Sequence, residues 1–197
     1  MPLFKIDDIT QAQPKNEDPA DSDALDIQMD DDVLFFRRPD ILKKKITGIE
    51  QNRNIHYVSA GEWSCHELLF HLLSFTGPAK VWIATWTITE DPVRMLIDGL
   101  NSGIIQELNC LLESRVVKRT PEAYQMAKHS MSNVRLSVCH AKVTVIENDK
   151  WSMVIVGSAN YTNNPRIEAG VICTNKAVAD FHKNWISLEL QNAHPFE

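Results

Sequence analysis

The sequence predicts a layered α/β domain, with a mixed central β-sheet flanked by helices and preceded by a flexible acidic N-terminal tail. Three observations carry this expectation. From about residue 54 onward, short runs rich in β-branched and aromatic residues alternate with segments whose apolar residues recur at helical spacing. The 197 residues suffice for one domain with a real core, and 44% apolar and 23% charged residues are typical of a soluble globular chain. Charge is unevenly distributed. Residues 1–33 hold ten acids against Lys5 and Lys15, a net of −8, whereas the remainder carries 16 acids and 18 bases, a net of +2.

The acidic segment has few large apolar residues and several prolines, so it buries too little surface to offset the entropy of ordering. It is expected to solubilise the chain or to shield a basic site as a polyanion mimic. FFRRPDILKKKITG follows in the span 34–53, a basic linker or helix. Its Arg37, Arg38, Lys43, Lys44 and Lys45 are candidate phosphate contacts, or else a solvated helix face.

Residues 54–197 form the predicted domain. NIHYVSA reads as a strand, 62–74 as a helix capped by the preceding turn, and KVWIATWT as a strong strand. DPVRMLIDGLNSG reads as a helix with proline in its first turn and glycine at its end. IIQELNCLL is ambiguous between helix and strand and reads better as a strand. TPEAYQMAKHSM reads as a helix with Thr120 as cap and Pro121 at its first position. VRLSVCHAKVTVIEN, WSMVIVGSA and EAGVICTN read as strands, and AVADFHKNWISLELQ as the closing helix.

Several function classes fall away. No apolar run approaches the ~18 residues of a membrane span, and MPLFKIDDIT lacks the pattern of a secretory leader, so no stable membrane insertion is expected. The four scattered cysteines, with no C-x-x-C, suggest neither a zinc site nor a disulfide framework, and point to a reducing, cytoplasmic setting. HELLFH is not a zinc-protease motif. His66 and His71 are five apart, about 140° around a helix, where the metal site needs histidines four apart on one face. His129 and His182 have no partner at metal-ligand spacing. Glycine-rich phosphate loops and nucleophile elbows are missing, and no cofactor is expected.

One stretch does carry chemistry. In CHAKVTVIENDKWSMVIVGSAN, His140 and Lys142 stand two apart and, in a strand, leave the same face. A second apolar run ends in Gly157, which permits a tight strand exit, followed by Ser158 and Asn160, again two apart. If the two strands are neighbours, an imidazole, an ammonium, a hydroxyl and an amide converge. Imidazole is a competent nucleophile toward phosphorus, and lysine and asparagine can stabilise the non-bridging oxygens, so the implied chemistry is metal-free attack on a phosphodiester.

The pattern His140-x-Lys142-(x4)-Glu147 followed by Gly157-Ser158-x-Asn160 resembles the phospholipase D superfamily signature. GSANYTNNPRIEAGVI is similar to the continuation in that family, with Glu168 in the place of its following acid. The resemblance implies a phospholipase D-like fold, with His140 as nucleophile or general acid/base and Lys142 and Asn160 binding phosphate oxygens. It also implies that Ser158 supports the site by hydrogen bonding and that Glu168 holds the other imidazole nitrogen. The family uses two histidines and this chain has one motif, so a homodimer with His140 of each subunit facing across a two-fold axis is implied. Glu147 stands where the family has aspartate, with Asp149 nearby. That position is structural in the family, so tuned geometry is expected rather than lost activity.

The expected function is therefore a phosphodiesterase working through a phosphohistidine, most plausibly a nuclease on DNA, with nucleic acid as substrate. The alternatives are a phospholipid hydrolase or transferase, and an inactive binding or structural protein that kept the scaffold.

Overall fold

The computed structural model describes residues 31–35, 42–44, 46–59, 61–163 and 166–193, the first span as backbone alone. The acidic segment up to residue 30, and Arg37, Arg38 and Lys45, lie outside the described residues. Strands β1 (Asp31–Phe35) and β2 (Asn54–Val58) are followed by helix α1 (Cys65–Thr76), β3 (Ala79–Thr85), α2 (Glu90–Asn101) and β4 (Ile105–Glu113). A short α3 (Val116–Arg119) leads into α4 (Pro121–Ser130) and β5 (Asn133–Ser137). Then come β6 (Val143–Glu147), β7 (Ser152–Gly157), β8 (Ala169–Cys173) and α5 (Lys176–Asn192).

Among the described residues, eight strands form one mixed sheet in the order β1-β2-β8-β7-β6-β3-β4-β5. β1/β2, β3/β4 and β4/β5 are parallel, and β2/β8, β7/β8, β6/β7 and β3/β6 are antiparallel. β1 begins at Asp31, so the edge strand takes in the last three residues of the 1–33 segment. No described helix is long and apolar enough to cross a membrane.

The central strands are covered on both faces, which is why they read as nearly continuous apolar runs. Alternate residues of β3 supply the two cores. Val81 and Ile83 join Leu68, Leu69, Leu72 and Leu73 of α1 and Leu96 of α2 in the larger one, while Trp82 and Ala84 pack with Ala179, Ile186 and Leu190 of α5 in the other. Helix ends follow local chemistry. Ser64 and Glu67 form a capping box at the start of α1, and the Asn175 side chain accepts from the Ala177 and Val178 amides at the start of α5.

The structure corrects two expectations and refines the part played by Gly157. VRLSVCHAKVTVIEN is two strands: β5 pairs with β4 at the sheet edge, and β6 lies between β3 and β7 in its middle. Residues 138–142 cross between them. The alternation of apolar residues runs through the crossing without a glycine or proline, so no local signal marks the break. Thr120 stands before Pro121 but makes no side-chain cap, because its hydroxyl turns back to the Val116 carbonyl at 3.4 Å. Gly157 does not have a left-handed backbone. Its lack of a side chain serves close approach instead: a Cβ there would lie 2.9 Å from the Ala169 carbonyl and 3.0 Å from Tyr57 Oη. At Gly170, its partner on β8, a Cβ would meet the same Oη at 2.5 Å.

Candidate active site

The sequence-predicted residues His140, Lys142, Gly157, Ser158, Asn160 and Glu168 line one open hollow of about 590 Å³. It lies where β6 begins, β7 ends and β8 begins. His140 and Lys142 precede β6, so strand alternation does not place them. The Gly157 amide donates to the Lys142 carbonyl at 3.1 Å, which prolongs the β6/β7 pairing by one step and fixes Lys142 beside the turn that carries Ser158 and Asn160.

Lys142 Nζ lies 3.2 Å from His140 Nδ1 and donates to the His140 carbonyl at 2.7 Å. Burial lowers the Lys142 pKa, against the opposing pull of Cys139 and Glu168. Asn160 Oδ1 lies 3.3 Å from Thr85 Oγ1, whose single proton is shared with the Thr87 carbonyl at 3.0 Å, and no hydrogen bond among the described residues engages the Asn160 N–H donors, which can meet an oxyanion. Ser158 Oγ donates to Glu168 and accepts from the Ala169 amide at 3.1 Å. Within one chain Glu168 therefore engages Ser158, and no hydrogen bond among the described residues joins it to His140.

Other predicted residues fall elsewhere. Glu147 ends β6, about 16 Å along the strand from Lys142 at roughly 3.3 Å per residue, and accepts from Lys183 of α5 at 2.7 and 2.9 Å. Asp149 follows in the exposed turn before β7. Lys43 and Lys44 are exposed on a helical turn and do not line the hollow. His66 and His71 serve α1: His66 Nε2 pairs with Ser64 Oγ at 3.0 Å, and His71 Nε2 donates to the Ile46 carbonyl at 2.8 Å. Among the described residues no His, Cys, Asp and Glu side chains gather into a metal-binding group. The four cysteines are free and buried.

Sequence reasoning missed Trp86, Arg166, Tyr161 and Arg119. Trp86 lines the hollow with its ring 5.4 Å from that of His140, and Arg166 lines it two residues before Glu168. In the sequence, Trp86 belongs to KVWIATWT and reads only as a strand residue. Tyr161 follows Asn160 and anchors its turn. Its backbone bridges to Ile88, its carbonyl accepts from Thr89 at 3.0 Å, and its buried hydroxyl pairs with Thr144 Oγ1 at 2.7 Å.

No protein-family model matches the sequence, and no curated protein sequence matches it. Solved structures do. NucT from Helicobacter pylori superposes with a TM-score of 0.57 at 19% identity, over 73% of this chain and 99% of that one. Nuc from Salmonella typhimurium, a phospholipase D family member, gives 0.55 at 16% identity, over 74% and 99%. TrmBL2, an archaeal chromatin protein with a novel mode of DNA binding, gives 0.51 at 11% identity, over 80% and 61%. The layered mixed sheet is thus shared with these proteins, NucT and Nuc over nearly their whole length, and this chain has the phospholipase D-like fold.

Proposed function

We propose that the chain is a phosphodiesterase of the nuclease kind, acting through a phosphohistidine at a homodimer interface. One observation carries the reading: an exposed imidazole, a half-buried ammonium and an amide with its N–H donors available face a single open hollow. The likeness to NucT and Nuc, nucleases of the phospholipase D family, supports the class of reaction.

In this reading a phosphodiester enters with its non-bridging oxygens toward Lys142 and Asn160. Lys142 turns from His140 to the phosphate, and the freed imidazole nitrogen attacks phosphorus. The bond to the leaving oxygen breaks, and that oxygen takes a proton from a second imidazole. Water, deprotonated by the same second imidazole, then displaces the phosphoryl group from the first. Lys142 and Asn160 meet the developing charge, so the route requires no metal. Among the described residues His140 is the one histidine that lines the hollow of one chain, so the second imidazole is assigned to His140 of a second copy. Val138 and Ile167, 92% and 75% exposed, stand two residues before His140 and one before Glu168. They are apolar material for such an interface beside the catalytic groups.

The test is hydrolysis of a chromogenic phosphodiester and of single- and double-stranded DNA with excess chelator, by wild type and His140→Ala, with sedimentation to establish the assembly. Chelator-resistant cleavage by a dimer, lost in the variant, is expected. A folded dimer that binds DNA without cleaving any diester would point instead to a scaffold without catalysis.

A further inference from the structure

We propose that Arg119, held against Trp86, forms a subsite for a phosphate flanking the scissile one in a nucleic-acid strand; this rests on the nuclease reading above. Arg119 ends α3, just after β4, and its Cζ lies 4.3 Å above the Trp86 ring. That ring lies 5.4 Å from the imidazole of His140, and Lys142 Nζ is 5.8 Å from it. One indole thus has the catalytic imidazole and ammonium and an additional guanidinium around it.

The charges nearby set Arg119 apart. Arg115, on the same short connection, is tied to the Glu113 carboxylate at 3.0 Å. Arg119 is exposed and makes no ion pair among the described residues; its contact is the indole. A cation over an aromatic face keeps its full charge while losing much of its freedom, so little ordering remains when a phosphate binds. Trp86 Nε1 has no hydrogen-bond partner among the described residues, so the contacts that the indole makes here are those of its ring.

The spacing admits a neighbouring phosphate of the same strand. The two ring contacts place the guanidinium no more than about 10 Å from the imidazole, within about three nucleotides at the 3.4 Å axial rise of one strand. A lone diester bound at His140 and Lys142 has no second phosphate at that distance, whereas a polynucleotide does. The subsite therefore favours chains of phosphodiesters over isolated ones.

The experiment compares bis(4-nitrophenyl) phosphate with a single-stranded 20-nucleotide DNA, using the full chain and Arg119→Ala. Arg119 is exposed, so the variant is expected to fold. Its kcat/KM is expected to fall about tenfold further on the oligonucleotide than on the small diester. In a His140→Ala background, its plot of log affinity against log salt should be shallower by about 0.7, the loss of one phosphate contact on a single strand. Lys150→Ala, on the exposed turn between β6 and β7, controls for general loss of charge and should change both substrates alike. Equal losses on both substrates, or an unchanged salt slope, would overturn the subsite while leaving the nuclease reading intact. A wild type that hydrolyses the small diester but cleaves no strand would overturn both.

Discussion

Replacing Glu147 should cost stability without costing chemistry. Its carboxylate receives two contacts from Lys183 Nζ, at 2.7 and 2.9 Å, and pins α5 to the end of β6. Each side chain is 23% exposed, so the pair is neither a solvated surface bridge nor a dry one. Burial alone would lower the Lys183 pKa, yet it is raised, because hydrogen bonds to Glu147 and Asp180 outweigh burial. An exposed pair contributes roughly 0.2–1 kcal/mol, and a hydrogen bond to a charged group about 1.5–3. In Glu147→Ala, Lys183 keeps Asp180 at 3.3 Å, so the expected loss is about 1–2 kcal/mol. At roughly 2–4 °C per kcal/mol for a chain of this size, Tm should drop by about 2–8 °C. Glu147→Asp withdraws the carboxylate by about 1.5 Å, one C–C bond, and should lose less than half as much. A double-mutant cycle with Lys183→Met, read by urea denaturation, isolates the pair. Because Glu147 sits about 16 Å along the strand from Lys142, turnover of a chromogenic diester by the folded fraction should be unchanged. An alanine variant of full stability with no turnover would refute this reasoning and place Glu147 in the chemistry.

Three further outcomes are expected. Gly170→Ala forces a Cβ to within 2.5 Å of Tyr57 Oη and 2.7 Å of the Val156 carbonyl, so it should destabilise by about 1–3 kcal/mol in chemical denaturation. Tyr57→Phe should not rescue it, since the ring carbon and the carbonyl remain in the way. Tyr161→Phe removes the buried bond to the Thr144 hydroxyl, which keeps the Cys65 thiol beside it, and should cost about 0.5–1.5 kcal/mol by the same assay. Burial holds the His66 pKa below its ordinary 6.5, against the pull of Glu67 and Asp91, so the unfolded chain takes up that proton first as pH falls. The stability this contributes is full above pH 6.5 and is lost on acidification through the lowered folded value. His182, also lowered by burial, acts in the same direction. Urea midpoints measured from pH 7.5 to 5.5 should therefore fall less steeply in His66→Gln than in the wild type.

The sequence by itself determined most of the elements and singled out the candidate site residues. Strand and helix identities follow from local periodicity, and His140, Lys142, Ser158 and Asn160 stand out because imidazole, ammonium, hydroxyl and amide recur at short spacing beside apolar runs. Tertiary structure decided what depends on contacts distant in sequence. The break at residues 138–142 is invisible locally because it is imposed by β5 joining the sheet edge and β6 its middle. Glu147 and Lys183, 36 residues apart, become partners only when α5 closes over β6. Trp86 and Arg119 belong to different strand-to-helix connections, and neither residue alone suggests a site. Their apposition beside His140 follows from strand order, which sets which connections share an end of the sheet.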